Sequence, residues 1–118
     1  MTTEYGNLLE ACVANSLKDV FRKVRRSSRK GGRGSSTASD LVADNLQVEC
    51  KRRSEESPSI NKAWWDKVCK RAAKTGKFPA IVTSGEKVNE AVIHLKMMDL
   101  ISIIREIQEK AEATDNDY

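Results

Sequence analysis

The spacing of apolar residues changes along the chain, and each change marks an element. From Leu8 to Val24, the positions Leu8, Leu9, Cys12, Val13, Leu17, Val20, Phe21 and Val24 recur at helical spacing. That pattern predicts one amphipathic helix of about five turns. It gives way to Ser27-Ser-Arg-Lys-Gly-Gly-Arg-Gly-Ser-Ser-Thr, where three glycines and four serines leave no regular period. Residues 27–37 are therefore expected to form a flexible basic loop. Next comes Asp40-Leu-Val-Ala-Asp-Asn-Leu-Gln-Val-Glu-Cys-Lys-Arg-Arg. Asp44-Asn45 is a two-residue turn signal, since both residue types tolerate positive φ. The flanks then form a hairpin of 40–43 and 46–52. A two-residue period in the second strand sends Leu46, Val48 and Cys50 to one face and Gln47, Glu49 and Lys51 to the other.

Ser57-Pro58-Ser59 breaks the chain and offers a cap. A helix is expected from Ile60 to Thr75, with Ile60, Trp64, Val68 and Ala72 in one stripe, Trp65 and Cys69 alongside, and Gly76 as its end. Phe78-Pro-Ala-Ile-Val-Thr reads as a strand, Ser84-Gly-Glu-Lys as a turn and Ala91-Val-Ile-His-Leu-Lys as a second strand. A last helix starts near Asp99, with Leu100, Ile103, Ile104, Ile107 and Ala111 inward, and residues 113–118 are expected to be a frayed acidic tail. A strand–helix–strand passage without a tight turn implies parallel pairing. The expectation is a single α/β domain over 1–118, a mixed central sheet flanked by helices.

With 118 residues, 39% hydrophobic and 32% charged, the chain is globular and its core modest, so a second subunit would add useful burial. No apolar run approaches the roughly 20 residues needed to cross a bilayer, and Met1-Thr-Thr-Glu-Tyr lacks the start of a signal peptide. An intracellular protein with no membrane partner is expected. Cys12, Cys50 and Cys69 lack paired spacing and His94 is the single histidine, which argues against structural zinc; three reduced, buried thiols are expected. The net charge is +4, but residues 99–118 hold six acids and two bases, leaving +8 on the rest. Arg22, Lys23, Arg25, Arg26, Arg29, Lys30 and Arg33 run without an intervening acid. Such a run is either a solvated face or the footprint of a polyanion partner.

The chemistry lies on one strand. Glu49 and Lys51 must share a face, and Asp40 comes from the adjoining hairpin strand, so two carboxylates and an ammonium converge at one edge of the sheet. Phosphodiester hydrolysis uses this set. Carboxylate oxygens hold Mg2+, which keeps several waters; the metal activates a water and offsets charge on the phosphate; and a nearby lysine steers or deprotonates that water.

Asp40, eight residues, then Glu49-Cys50-Lys51 is the pattern of the PD-(D/E)xK nucleases, with their restriction-endonuclease-like fold. Together with Gly6-Asn-Leu-Leu-Glu10, the Gly/Ser-rich basic loop, Asp40-Leu-Val-Ala and a following helix containing tryptophan, the chain resembles the archaeal-type Holliday-junction resolvases and their compact phage relatives over roughly residues 6–105. The resemblance implies that Glu10 matches the first-helix carboxylate, Asp40 and Glu49 the metal ligands, and Lys51 the catalytic lysine. The main-chain carbonyl of Cys50 would be a further ligand. It also implies a Mg2+-dependent endonuclease (Mn2+ substituting, no small-molecule cofactor) that acts as a homodimer on branched DNA in a prokaryotic or phage-infected cell. Dimerisation would use the last helix or the helix of Trp64 and Trp65. Ser39 stands where the class often has proline. The middle helix, which often presents glutamine to the site, reads Trp64-Trp-Asp-Lys-Val, so that role is vacant or passes to Lys67.

Each assignment has a plainer counterpart. Glu10 is either functional or a solvated helix residue; its place beside the apolar stripe makes an unpaired charge costly. Asp44 competes with Asp40, but sits in the turn and should face solvent. Glu49 and Lys51 alone would be a surface ion pair of little worth. Arg25, Arg26, Arg29, Lys30 and Arg33 are expected on backbone phosphates, with Arg52 and Arg53 gripping phosphates beside the cut. Trp64 and Trp65 could stack on bases, yet their spacing favours packing; Met97 and Met98 read as core filler; His94 carries no chemistry. The alternatives to a junction nuclease are a nicking, repair or restriction nuclease on linear DNA, a non-catalytic nucleic-acid-binding module, and a helical interaction protein dimerising through 99–112.

Overall fold

The computed structural model describes residues 4–26, 41–53 and 60–116. Three helices and five strands follow the order α1 (Glu4–Leu17), β1 (Val24–Arg26), β2 (Leu41–Ala43), β3 (Leu46–Arg52), α2 (Lys62–Thr75), β4 (Phe78–Ser84), β5 (Val92–Leu95) and α3 (Met97–Asn116). The strands form one sheet in sequence order. β1–β2, β2–β3 and β4–β5 are antiparallel, and β3–β4 is parallel. The mixed sheet flanked by helices is the expected fold class, and the parallel pair is the one joined through α2.

The hairpin turns where expected: Asp44 has φ 48°, and β2 pairs with β3 in the register Leu41↔Val48, Val42↔Gln47, Ala43↔Leu46. Leu9, Leu41, Ala43 and Val48 are fully buried, with Val13, Ala14, Leu46, Ala80, Val82 and Ile103 completing the main core. This core lies between the sheet and helices α1 and α3. On the other sheet face, α2 covers β3 and β4 and buries Val68 and Ala72. Burying side chains of this size contributes about 1.5–3 kcal/mol for each Leu, Val or Ile.

Several expectations need correction. The first helix stops at Leu17 and does not run to Val24. The Leu17 carbonyl accepts the amides of Val20 and Phe21 at 3.0 and 2.8 Å, a tightened last turn. Beyond it, the Asp44 carboxylate accepts the backbone amides of Arg22 and Lys23 at 3.3 and 2.9 Å, and the Asp44 amide donates to the Lys23 carbonyl at 2.8 Å. The hairpin turn thus captures the segment as β1, a strand that helical periodicity hides. Asp44 is accordingly a backbone clamp, where a solvent-facing side chain is expected.

Helix α2 begins after Asn61, whose side chain accepts the Trp64 amide at 2.9 Å, a little later than Ile60. It ends at Gly76 in the left-handed conformation, φ 66°, which glycine adopts without a Cβ penalty. Helix α3 spans Met97–Asn116 and so starts two residues before Asp99. Of its expected inward residues, Ile103 is buried and Ile107 packs on the core, whereas Leu100, Ile104 and Ala111 are exposed. A helix laid along one face of a sheet buries one stripe, and the 103–107 stripe takes that place. Met97 and Met98 are exposed at 70% and 63%, so they are not core filler. The three cysteines are free, as expected, but half-buried. Among the described residues no helix is long and apolar enough to cross a membrane.

Candidate functional site

Alternation along β3 separates two roles. Leu46 and Val48 point into the main core and Cys50 packs against it, while Gln47, Glu49 and Lys51 face α2. Because α2 returns across the sheet to start a parallel strand, it runs antiparallel to β3. Trp64, Val68, Arg71 and Thr75 recur at i, i+4, i+7 and i+11, which is one side of a helix. Three of them meet β3 in sequence. Thr75 Oγ1 donates to Gln47 Oε1 at 3.2 Å. Arg71 Nη1 donates to Glu49 Oε2 at 3.0 Å. The Trp64 ring lies 5.2 Å from Lys51 Nζ and 4.7 Å from Arg53 Cζ, measured to the centroid.

Glu49 therefore sits between two cations. Its Oε2 is held by Arg71, and its Oε1 is 3.9 Å from Lys51 Nζ. The pair with Arg71 is largely enclosed, with side-chain exposures of 15% for Glu49 and 9% for Arg71. An enclosed pair of this kind costs about 3–5 kcal/mol to break by deleting one partner, because the other charge is stranded. Lys51, more open at 32%, can still reach a group arriving from solvent.

The other expected site residues are distributed as follows. Glu10 is buried at 4% on α1, beside Leu9 and Ala14. Asp40 lies outside the described residues, immediately before Leu41, the β2 residue that pairs with Val48. Arg25 and Arg26 are exposed on the edge strand β1; Arg29, Lys30 and Arg33 lie outside the described residues. Arg52 donates to the Gly85 carbonyl at 3.2 Å and to that of Glu86 at 2.8 Å, so its guanidinium secures the turn after β4. Arg53 lies on Trp64. Lys67, a candidate for the helix's site-facing role, is exposed, and Arg71 is the α2 residue that meets Glu49.

Three participants escape the sequence reading: Arg71, Trp64 as a cation platform, and Asp44 as a clamp. Arg71 does carry a signal, a charged residue on the buried side of an amphipathic helix, next to Ala72 and three beyond Val68. His94 sits 3.0 Å from Thr83 Oγ1 across the β4–β5 pair.

The expected ligands Glu10, Asp40, Glu49 and the Cys50 carbonyl would each offer oxygen, the donor that a hard divalent ion prefers. Among the described residues, no three acidic, cysteine or histidine side chains gather into a metal-binding group, and Asp40 is not one of those residues.

These elements define a mixed five-stranded α/β sheet with a helical crossover between its parallel strands. No family model and no curated protein matches the sequence. The structure is similar to that of Archaeoglobus fulgidus Hjc, a Holliday junction resolvase from an archaeal hyperthermophile, with a TM-score of 0.60 and 18% identity over 75% of this chain and 73% of that one. The two chains share a fold.

Proposed function

We propose that this chain is a metal-dependent endodeoxyribonuclease of the PD-(D/E)xK class acting inside the cell on branched DNA, as a Holliday-junction resolvase. The observation that carries the reading is the placement of Glu49 and Lys51 on one face of a central strand, 3.9 Å apart, in the fold it shares with the Archaeoglobus resolvase. Glu10, Asp40, Glu49 and the Cys50 carbonyl would hold Mg2+, or Mn2+ in its place. The bound ion supplies Lewis acidity and an acidified water. Lys51 has an amine close enough to the Glu49 carboxylate to hydrogen-bond a water placed beside it and to attract the phosphate being cut. The exposed Arg25 and Arg26, with Arg29, Lys30 and Arg33 beyond them, would contact backbone phosphates without reading sequence. Arg53 would do so from its seat on Trp64, and Arg52 after release from the turn carbonyls.

A homodimer belongs to this proposal. On the single chain, Ile93, Met97, Met98, Leu100 and Ile104 are exposed on the α3 side of the edge strand β5 and at the start of α3. Burial of such a strip against a second copy offsets the modest core.

The test is cleavage of a labelled four-way junction in Mg2+ by the wild type, Asp40→Asn and Lys51→Ala, beside a linear duplex of the same sequence. The reading expects cuts in the junction by the wild type alone. Equal cleavage of the linear duplex would move the substrate to unbranched DNA, and identical products from all three proteins would remove the activity from this chain. One observation favours a second reading, a DNA-binding module without catalysis: the two cations on Glu49. On that reading the junction binds and stays intact.

A further inference from the structure

Helix α2 carries its charge unevenly. Lys62, Lys67, Lys70, Arg71 and Lys74 stand against a single acid, Asp66, and Lys62 holds that acid at 2.9 Å. Arg71 turns inward to Glu49. Lys67, Lys70 and Lys74 are exposed and spaced i, i+3 and i+7, which makes them one row along the helix. Among the described residues, none of the three is in an ion pair. Like charges at this spacing repel, and an anion laid along the row would relieve that repulsion.

The row has a direction. Val68 is buried against the sheet, and successive helix residues turn by about 100°, so Cys69 and Lys67 leave Val68 for opposite flanks. Cys69 lies within electrostatic range of Lys96 and Asp99, where β5 passes into α3. Its flank turns toward β5, and the lysine row turns the other way, toward β2 and β1. On those strands Arg25 pairs with Val42, and Val42 with Gln47; residues paired in this way share a face. Gln47 meets Thr75 of α2, so Arg25 stands on the α2 side of the sheet, exposed at its edge. Helix α1 packs on β1 and β2 from the opposite, core face.

The lysine row and Arg25 thus border a trough over β2. It spans about 10 Å, two strand spacings from β1 to β3. The row itself is about 10 Å long at 1.5 Å per residue, the run of about three phosphates on one DNA strand. At one end, less than a turn before Lys67, Trp64 holds Lys51 and Arg53.

We propose that this trough seats the backbone of one DNA strand, with Lys67, Lys70 and Lys74 along one side and Arg25 on the other, and leads that strand to Lys51. The inference deepens the nuclease reading and rests on it for the nature of the polyanion. Flexible ammonium groups meet phosphates here, so the seat is indifferent to base sequence.

The test is binding of a labelled four-way junction in EDTA, read by anisotropy over a range of salt concentrations. It compares the wild type with the triple variant Lys67→Gln, Lys70→Gln, Lys74→Gln. A control, Lys18→Gln, Lys96→Gln, Lys110→Gln, removes the same charge from exposed positions outside the trough. The α2 variant should bind at least ten-fold more weakly at low salt, and its slope of log affinity against log salt should be shallower by about 2.7, at about 0.9 for each lost phosphate contact. The control should keep most of the wild-type slope. Equal losses in the two variants would reduce the effect to net charge and overturn the proposal. So would an α2 variant that keeps its DNA affinity and loses self-association, which would give the row to the acidic end of α3 in a second copy.

A measurement on the wild type alone does not depend on the variants folding. Saturating junction should protect Lys67, Lys70 and Lys74 from acetylation and leave Lys18, Lys96 and Lys110 reactive; equal reactivity of the two sets overturns the seat. Because EDTA removes catalysis from both measurements, they separate from the cleavage assay. A wild type that cuts junctions without using the row loses this surface alone, whereas one that binds but never cuts keeps the surface and loses the nuclease reading.

Discussion

The Trp64 indole carries two cations, Lys51 at 5.2 Å and Arg53 at 4.7 Å from its centroid. Lys51 lies on β3 and Arg53 directly after its last residue, where the Arg53 amide still donates to the Ser84 carbonyl at 2.9 Å, so the two side chains share a face. The ring is thus a floor that fixes where both side chains start from. Contacts of this kind contribute about 0.5–2 kcal/mol each, more as water is excluded. Trp64→Leu, which keeps apolar bulk and removes the π face, should lower junction cleavage by roughly 2- to 10-fold. Trp64→Phe should recover part of the loss. Steady-state kinetics on the three proteins would check this, and equal rates for Leu and Trp would deny the ring any role.

Asp44 combines a left-handed backbone with a side chain that holds two amides of the segment before β1. Asp44→Gly relieves the backbone and loses the acceptors; Asp44→Asn keeps the turn and one acceptor; Asp44→Ala loses both advantages. Urea unfolding should rank them Asn, Gly, Ala from most to least stable, with Ala about 2 kcal/mol below the wild type. A neutral Asp44→Ala would mean that β1 is held by its pairing with β2 alone.

The apolar strip on β5 and α3 gives an expectation about assembly. Sedimentation velocity of the wild type should report a dimer, and the double variant Ile93→Asp, Met97→Glu a monomer with unchanged circular dichroism. Both sites are open on the single chain, at 46% and 70% exposure, so charge there should leave the fold intact. A monomeric wild type would remove this surface as a dimer contact.

Burial pushes the Cys69 thiol up; Lys96 opposes the shift, and Asp66 and Asp99 add to it. The folded chain therefore retains this proton at a pH where the unfolded chain has released it. Stability should decline as pH rises through the ordinary thiol range, and Cys69→Ala should flatten that decline. Thermal melts of both proteins from neutral to alkaline pH would check it; parallel curves would assign the alkaline loss to other groups.

Much of the architecture is written in local signals. Asp44-Asn45 names its turn, Gly76 names a helix end, and alternation in β3 separates Val48 from Glu49 before any coordinates exist. What stays hidden depends on contacts distant in sequence. Val20, Phe21 and Val24 continue a helical period, yet the chain has already left α1 because Asp44, some twenty residues later, offers its carboxylate to Arg22 and Lys23. Met97 and Met98 look like core on hydropathy alone, and only the docking of α3 through Ile103 leaves them outside. For the site, Glu49 and Lys51 were legible as a pair on one face. Arg71 was not, because nothing within α2 tells whether a charge on its buried side meets a carboxylate on β3.

The alternation of β3 ties together two things usually considered separately. A slip of one residue in its pairing with β2 or β4 would turn Val48 toward α2 and drive Glu49 into the apolar interior among Leu9 and Leu41. Hydrophobic assembly and charge placement are thus decided by a single alignment, so a misaligned molecule would lose its stability along with its chemistry. The protein has a built-in proofreader: copies stable enough to persist are those in which Glu49 faces Arg71.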